Sequence, residues 1–161
     1  MSNEFESYKQ CEQLIYKFLR VLETEMGKVA DFFTKDGQFF NFHGQEKIRE
    51  HFSHIQTVDH NINVNLCSNL IIDVMDEAHA RATNYVTHYV SDPEPGDLKD
   101  PGGGLISGEL VTARSLTRWS WQFEHEEGRW LISKLDYPET VLLREDVLND
   151  VRGSSLSLIH I

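Results

Sequence analysis

The chain has 161 residues, 40% of them hydrophobic and 11% aromatic, enough to bury one sizeable core and too few for two comfortable domains. Its 26 acidic against 15 basic residues give a net charge of −11 with no Lys/Arg cluster, a balance that repels phosphate backbones and anionic bilayer surfaces, so neither nucleic acid nor a membrane is an expected partner. The polar start MSNEFESYKQCEQ lacks a signal pattern and no run reaches bilayer length, so a cytoplasmic protein is expected. Cys11 and Cys67 are too few for a disulfide framework or a four-thiolate zinc site, and each lies inside an apolar pattern suited to a buried free thiol.

Phe5, Tyr8, Cys11, Ile15, Phe18, Leu19 and Leu22 recur at helical spacing and predict an amphipathic helix over 3–24. In GKVADFFTKDG, Val29, Phe32 and Phe33 form an apolar stripe ahead of Gly37, which predicts a second, shorter helix ending at that glycine. QFFNF (38–42) reads as a short strand, and QEKIREHFSHIQ as a third helix carrying Ile48, Phe52 and Ile55. Four strand-like runs follow, at about 60–75, 78–91, 105–124 and 129–137, rich in Val, Ile, Thr, Tyr and Trp. The Pro/Gly-rich SDPEPGDLKDPGGG (91–104) is a loop between the second and third runs, and TVLLREDVLNDV suggests a last helix. Helices followed by a meander of strands predict an α+β domain in which helices cover one face of a curved antiparallel sheet. One domain over 1–150 is expected, with the tail 151–161 unassigned.

FFTKDGQFFNFHGQEKIREHF, SNLIIDVMDEAHARATNYV and EEGRWLISKLDY, in this order of elements, resemble the SnoaL-like branch of the nuclear-transport-factor-2-like superfamily over about residues 8–137. The resemblance implies a cone-shaped, cystatin-like α+β barrel with an apolar cavity. In enzymes of the family, such as scytalone dehydratase and polyketide cyclases, acid/base side chains act in that cavity without a cofactor. Other members bind ligands without catalysis or serve as assembly subunits, so fold alone leaves the activity open.

By this resemblance the acidic residue near the end of the first helix falls on Glu23, a candidate general base, although a solvated helix-end glutamate fits the residues equally well. The family's common histidine position carries Asn65, an amide that can hydrogen bond but cannot take a proton at neutral pH. In DHNINVNLCSN (59–69), Asp59, Asn61, Asn63, Asn65 and Asn69 share one strand parity. The resemblance turns Asn65, Cys67 and Asn69 toward the cavity as a polar wall, whereas periodicity alone favours Ile62, Val64, Leu66, Leu70 and Ile72 as the core face. On the next strand Asn84 and His88 share a parity with Ala80, Ala82 and Val86, which makes His88 a candidate acid or base and Asn84 a candidate substrate ligand. Trp119 and Trp121 form an aromatic wall suited to a flat ligand, or ordinary core, or a subunit interface. Tyr16 could donate its phenol to a substrate carbonyl. His51 and His54 lack an HExxH pattern or a third ligand, and no metal or cofactor site is expected.

These readings converge on a cofactor-independent dehydratase, isomerase or cyclase acting on a hydrophobic cyclic small molecule. Glu23 and His88 would be its acid/base pair, with Tyr16, Asn65, Asn69, Asn84, Trp119 and Trp121 around the substrate. The alternatives are a non-catalytic small-ligand module and an assembly subunit. A homo-oligomer is the expected state.

Overall fold

The computed structural model describes residues 2–55, 62–91 and 112–153. Helix α1 (Ser2–Thr24) buries Cys11, Ile15, Phe18 and Leu19 on the stripe that the sequence spacing predicts. A 3₁₀ helix (Met26–Phe32) leads into β1 (Phe33–Phe39), β2 (Phe42–His43) and helix α2 (Gln45–Ser53). Four long strands follow, β3 (Ile62–Val74), β4 (His79–Ser91), β5 (Ser115–Glu126) and β6 (Arg129–Leu143), and then helix α3 (Glu145–Gly153).

The six strands form one sheet in the order β2-β1-β6-β5-β4-β3. The sheet is mixed rather than antiparallel throughout, because β6 returns beside β1 in parallel while the other pairings are antiparallel. That pairing also corrects the reading of 33–37: Phe33 and Thr34 extend along β6 instead of continuing a helix. Gly37 is therefore a strand residue at a register irregularity. A Cβ there would stand 3.0 Å from the Thr34 carbonyl oxygen and 3.1 Å from that of Ile132, so any larger residue would push two main-chain carbonyls aside by a few tenths of an ångström. The described part of the third long strand begins at Ser115, and β6 absorbs TVLL, which the sequence suggests as helix. Helix α3 crosses the boundary placed at 150. Residues 92–111, with most of the loop expected at 91–104 and the start of the strand expected from 105, the stretch 56–61 with Asp59, His60 and Asn61, and the tail from 154 lie outside the described residues.

The core lies between α1 and the concave face of the sheet. Ala80 and Ala82 of β4 stand opposite Phe123 and Trp121 of β5, so small residues make room for large ones across the pair. Phe18 of α1 meets Phe32, Phe33, Trp119 and Trp121 edge-on, with ring centroids 5.4–6.5 Å apart. Cys11 and Cys67 are both free thiols, Cys11 in this core and Cys67 half-buried beside it. Among the described residues no helix is long and apolar enough to cross a membrane.

Strand β3 contains the feature that settles which face its amides occupy. Its pairing with β4 slips by one residue between Ser68 and Ile71, and Asn69 there has φ +50. Asn is the side chain that best tolerates this left-handed backbone after glycine, because its short amide can bond locally. A one-residue bulge inverts side-chain parity along a strand. Before it, Asn63, Asn65 and Cys67 are half-buried while Leu66 is 52% exposed; beyond it, Leu70 and Ile72 turn in and Ile71 turns out. Each face proposed from the sequence is right for one half of the strand.

Candidate active site

A cavity of about 310 Å³ opens between the end of α1, α2 and the concave sheet face. Its apolar side is made by Leu22, Phe39, Phe52, Val86, Trp119 and Tyr137. Trp119 and Tyr137 stand with ring centroids 4.6 Å apart, tilted by 31°. Burial raises the Tyr137 phenol well above its ordinary range, so it stays neutral. The polar side collects Asn63, Asn65, His88, Arg114, Ser115 and Thr117 from the neighbouring strands β3, β4 and β5 and from the approach to β5. This volume and mixture suit a small cyclic ligand bearing a polar group at one end.

His88 sits opposite Asn65 in the β3–β4 register and bonds diagonally to Asn63, with 2.7 Å between Nε2 and the amide Oδ1. That acceptor assigns the ring proton to Nε2 and leaves Nδ1 as the basic nitrogen. Burial first, and the positive charge of Arg114 second, push the imidazole down to about 4, so it is neutral at physiological pH.

Glu23 reaches the same strand from the other side. Its side chain is 10% exposed, and Oε1 accepts the Asn65 backbone N–H at 2.6 Å. Oε2 lies 3.4 Å from an exposed Arg20 guanidinium. The carboxylate thereby satisfies a main-chain donor that the β3–β4 ladder leaves free, as edge strands require. Glu23 does not line the cavity, and neither it nor His88 is bonded to the other, so the acid/base pair expected from the sequence is not assembled directly.

The remaining candidates separate clearly. Trp119 lines the cavity and Asn65 stands in its polar wall. Trp121 is wholly buried behind that wall, and its Nε1–H donates to Asn84 Oδ1 at 2.7 Å. Asn84, 1% exposed, also donates to Cys67 Sγ at 3.1 Å, so its amide is consumed inside the protein rather than offered to a ligand. Asn69 is the exposed bulge residue, and Tyr16 is 45% exposed on α1 with Cys67 of β3 among its neighbours; neither lines the cavity. Sequence reasoning missed Arg114, Ser115, Thr117 and Tyr137 and did not single out Asn63. Parity with Asn65 and with Trp119 would have found Asn63, Ser115 and Thr117, whereas Arg114 precedes its strand and carries no periodic signal. Among the described residues no three His, Cys, Asp or Glu side chains gather as metal ligands would.

This architecture, a curved mixed sheet closed by helices over a one-ended cavity, is that of the nuclear-transport-factor-2-like proteins. The SnoaL-like domain family matches residues 3–136, most of the chain, and the protein belongs to that family. No curated protein matches it. Solved structures share the fold at low identity. A protein of Catenulispora acidiphila in complex with S-DNPA has 16% identity and a TM-score of 0.60, over 81% of this chain and 91% of its own. One from Novosphingobium aromaticivorans, named as a candidate scytalone dehydratase, has 12% identity and a TM-score of 0.61 over 87% and 89%. A hexachlorocyclohexane dehydrochlorinase, LinA type 2, has 13% identity and a TM-score of 0.62 over 89% and 93%.

Proposed function

We propose that this cavity carries out cofactor-independent acid/base chemistry on a hydrophobic cyclic small molecule, removing a proton beside a carbonyl in an elimination, isomerisation or cyclisation. The observation that carries this reading is His88: a neutral imidazole, oriented by Asn63, in a cavity that also holds a guanidinium. Nδ1 takes the proton, and the Asn65 amide donates to the enolate oxygen that forms. Proton return from Nδ1 to the product carbon or to a leaving hydroxyl completes the cycle without a redox partner. Glu23 acts through β3 as a positioning residue, holding Asn65 in place by its main chain.

The test separates these roles. His88→Gln retains a donor for Asn63 and should lower kcat by a factor of about 100 or more, the scale of a lost general base. Glu23→Gln keeps an oxygen acceptor for the Asn65 N–H and should retain most activity, while Glu23→Ala should lose about 1–3 kcal/mol of stability. Full turnover in His88→Gln removes the catalytic assignment, and loss of kcat in a stably folded Glu23→Gln returns Glu23 to the chemistry.

A second reading, a ligand-binding module without turnover, is favoured by Asn65 at the family's histidine position and by the low basicity of His88. Under it a ligand raises Tm without product formation. In either case the outer sheet face supports self-association. Leu66, Thr87, Leu116 and Leu142 stand in one cross-strand row, with Leu66 and Leu142 largely exposed. Leu142→Glu should shift the solution mass, measured by light scattering, from dimer to monomer.

A further inference from the structure

Arg114 lines the cavity, and no carboxylate stands beside it among the described residues that form the wall. Arg114 is fixed by its main chain: its N–H donates to the His88 carbonyl at 2.7 Å, and its own carbonyl accepts from the Arg144 N–H at 2.9 Å. Its side chain lines the cavity, and its Nε is buried with no hydrogen-bond partner among the described residues. A buried guanidinium N–H left without an acceptor costs about 1–3 kcal/mol or more, so such groups are nearly always occupied. No Asp or Glu stands among the described residues that line the cavity, although the chain holds 26 of them. The other polar residues of the wall are Asn63, Asn65, Ser115, Thr117 and the histidines His51 and His88, none of them acidic. Among the described residues, then, nothing acidic in the cavity wall competes with a ligand for this guanidinium.

We infer that Arg114 is a carboxylate-recognition residue, and that the cavity selects cyclic apolar acids whose carboxylate lies against its guanidinium while the ring lies on Trp119, Tyr137 and Phe52. This deepens the reading of the cavity as a small-molecule site and rests on it. A planar guanidinium fork matches the two oxygens of a carboxylate, and a desolvated pair of this kind gains more than one in water. Neutral Ser, Thr and Asn neighbours complete the acceptor needs of the second oxygen without competing for the charge. Burial is the larger cause of the depressed basicity of His88, and an anion placed here offsets the second, the Arg114 charge, so ligand binding and proton uptake at the imidazole reinforce each other.

The experiment is a calorimetric titration of the full chain at neutral pH with 1-naphthoate and with its neutral isostere 1-naphthamide, repeated on Arg114→Gln. The acid should bind the native protein at least about tenfold more tightly than the amide, the discrimination expected of one charge-assisted contact. Arg114→Gln should bring the two affinities together by weakening the acid alone. Equal affinity of acid and amide for the native protein overturns the carboxylate assignment and leaves the cavity reading standing. An acid preference that survives in Arg114→Gln overturns it as well, by placing the anion elsewhere. Binding of neither probe overturns both. Should Arg114→Gln fold poorly, the acid-to-amide ratio in the native protein still decides.

Discussion

Trp121→Ala should remove about 4–8 kcal/mol of stability, bringing the protein to the edge of unfolding. Truncating a large buried aromatic costs about 3–5 kcal/mol through lost transfer energy and the cavity left behind. Trp121 is wholly buried, meets Phe18 edge-on at 5.4 Å and stacks on Phe123 at 6.0 Å, so helix and sheet would both lose their anchor. The substitution also strands Asn84 Oδ1, which accepts the indole N–H at 2.7 Å in a place water does not reach. An unsatisfied buried acceptor adds about 1–3 kcal/mol. Against a typical total of about 5–15 kcal/mol the loss is decisive. Trp121→Phe isolates the polar part: it keeps most of the ring volume, drops the donor, and should cost about 1–3 kcal/mol. In a double-mutant cycle with Asn84→Ala, urea midpoints should give a coupling of about 1–2 kcal/mol between the two residues. No coupling would mean that the amide is free to serve a ligand after all.

Acid should destabilise the protein through His88, with a sign that follows from its depressed proton affinity. The imidazole sits at about 4 in the folded chain against an ordinary 6.5, so between those values the unfolded chain binds the extra proton. Stability is therefore unaffected by this group above pH 6.5, falls as pH drops toward 4, and changes no further below that. The full difference corresponds to about 3 kcal/mol. Carboxylates titrate in part of the same window, so the informative quantity is the slope of native protein minus that of His88→Gln. Urea denaturation at pH 7, 5.5 and 4.5 should give nearly parallel curves for the variant where the native protein loses stability. Identical slopes in the two proteins would show that His88 is protonated as readily in the fold as in water. The same neutrality makes His88 available as a base at physiological pH, so one titration bears on both folding and chemistry.

Much of the site was legible as strand parity. His88 and Trp119 were readable because β4 and β5 alternate cleanly, with small or apolar partners on the same face. Asn84 shares that parity and faces inward as expected, but its register opposite Trp119 and beside Trp121 turns it from a ligand group into a core bond. Glu23 was identified through family likeness, yet whether a helix-end carboxylate meets a substrate or a backbone N–H depends on which strand edge the helix crosses. Tyr16 lies off the apolar stripe of Cys11, Ile15, Phe18 and Leu19, and its 45% exposure follows from that local spacing.

The sequence by itself determined the class of the domain and its elements: the apolar stripe of α1, the four long strands and the aromatic face of β5 follow from local periodicity, which needs no knowledge of partners. The tertiary structure decided everything that depends on register. Whether β1 is a strand rests on β6 lying beside it, more than ninety positions later in the chain. The amide row of β3 faces the cavity for half its length because a bulge at Asn69 inverts the parity, and a bulge is a property of a pair of strands rather than of either one. Arg114 reaches the cavity wall because its main chain is bonded to His88 of β4 and to Arg144 beyond β6, contacts that no local pattern marks. Local free energies fix the elements; the site exists in their long-range pairing, where the chain's own pattern is silent.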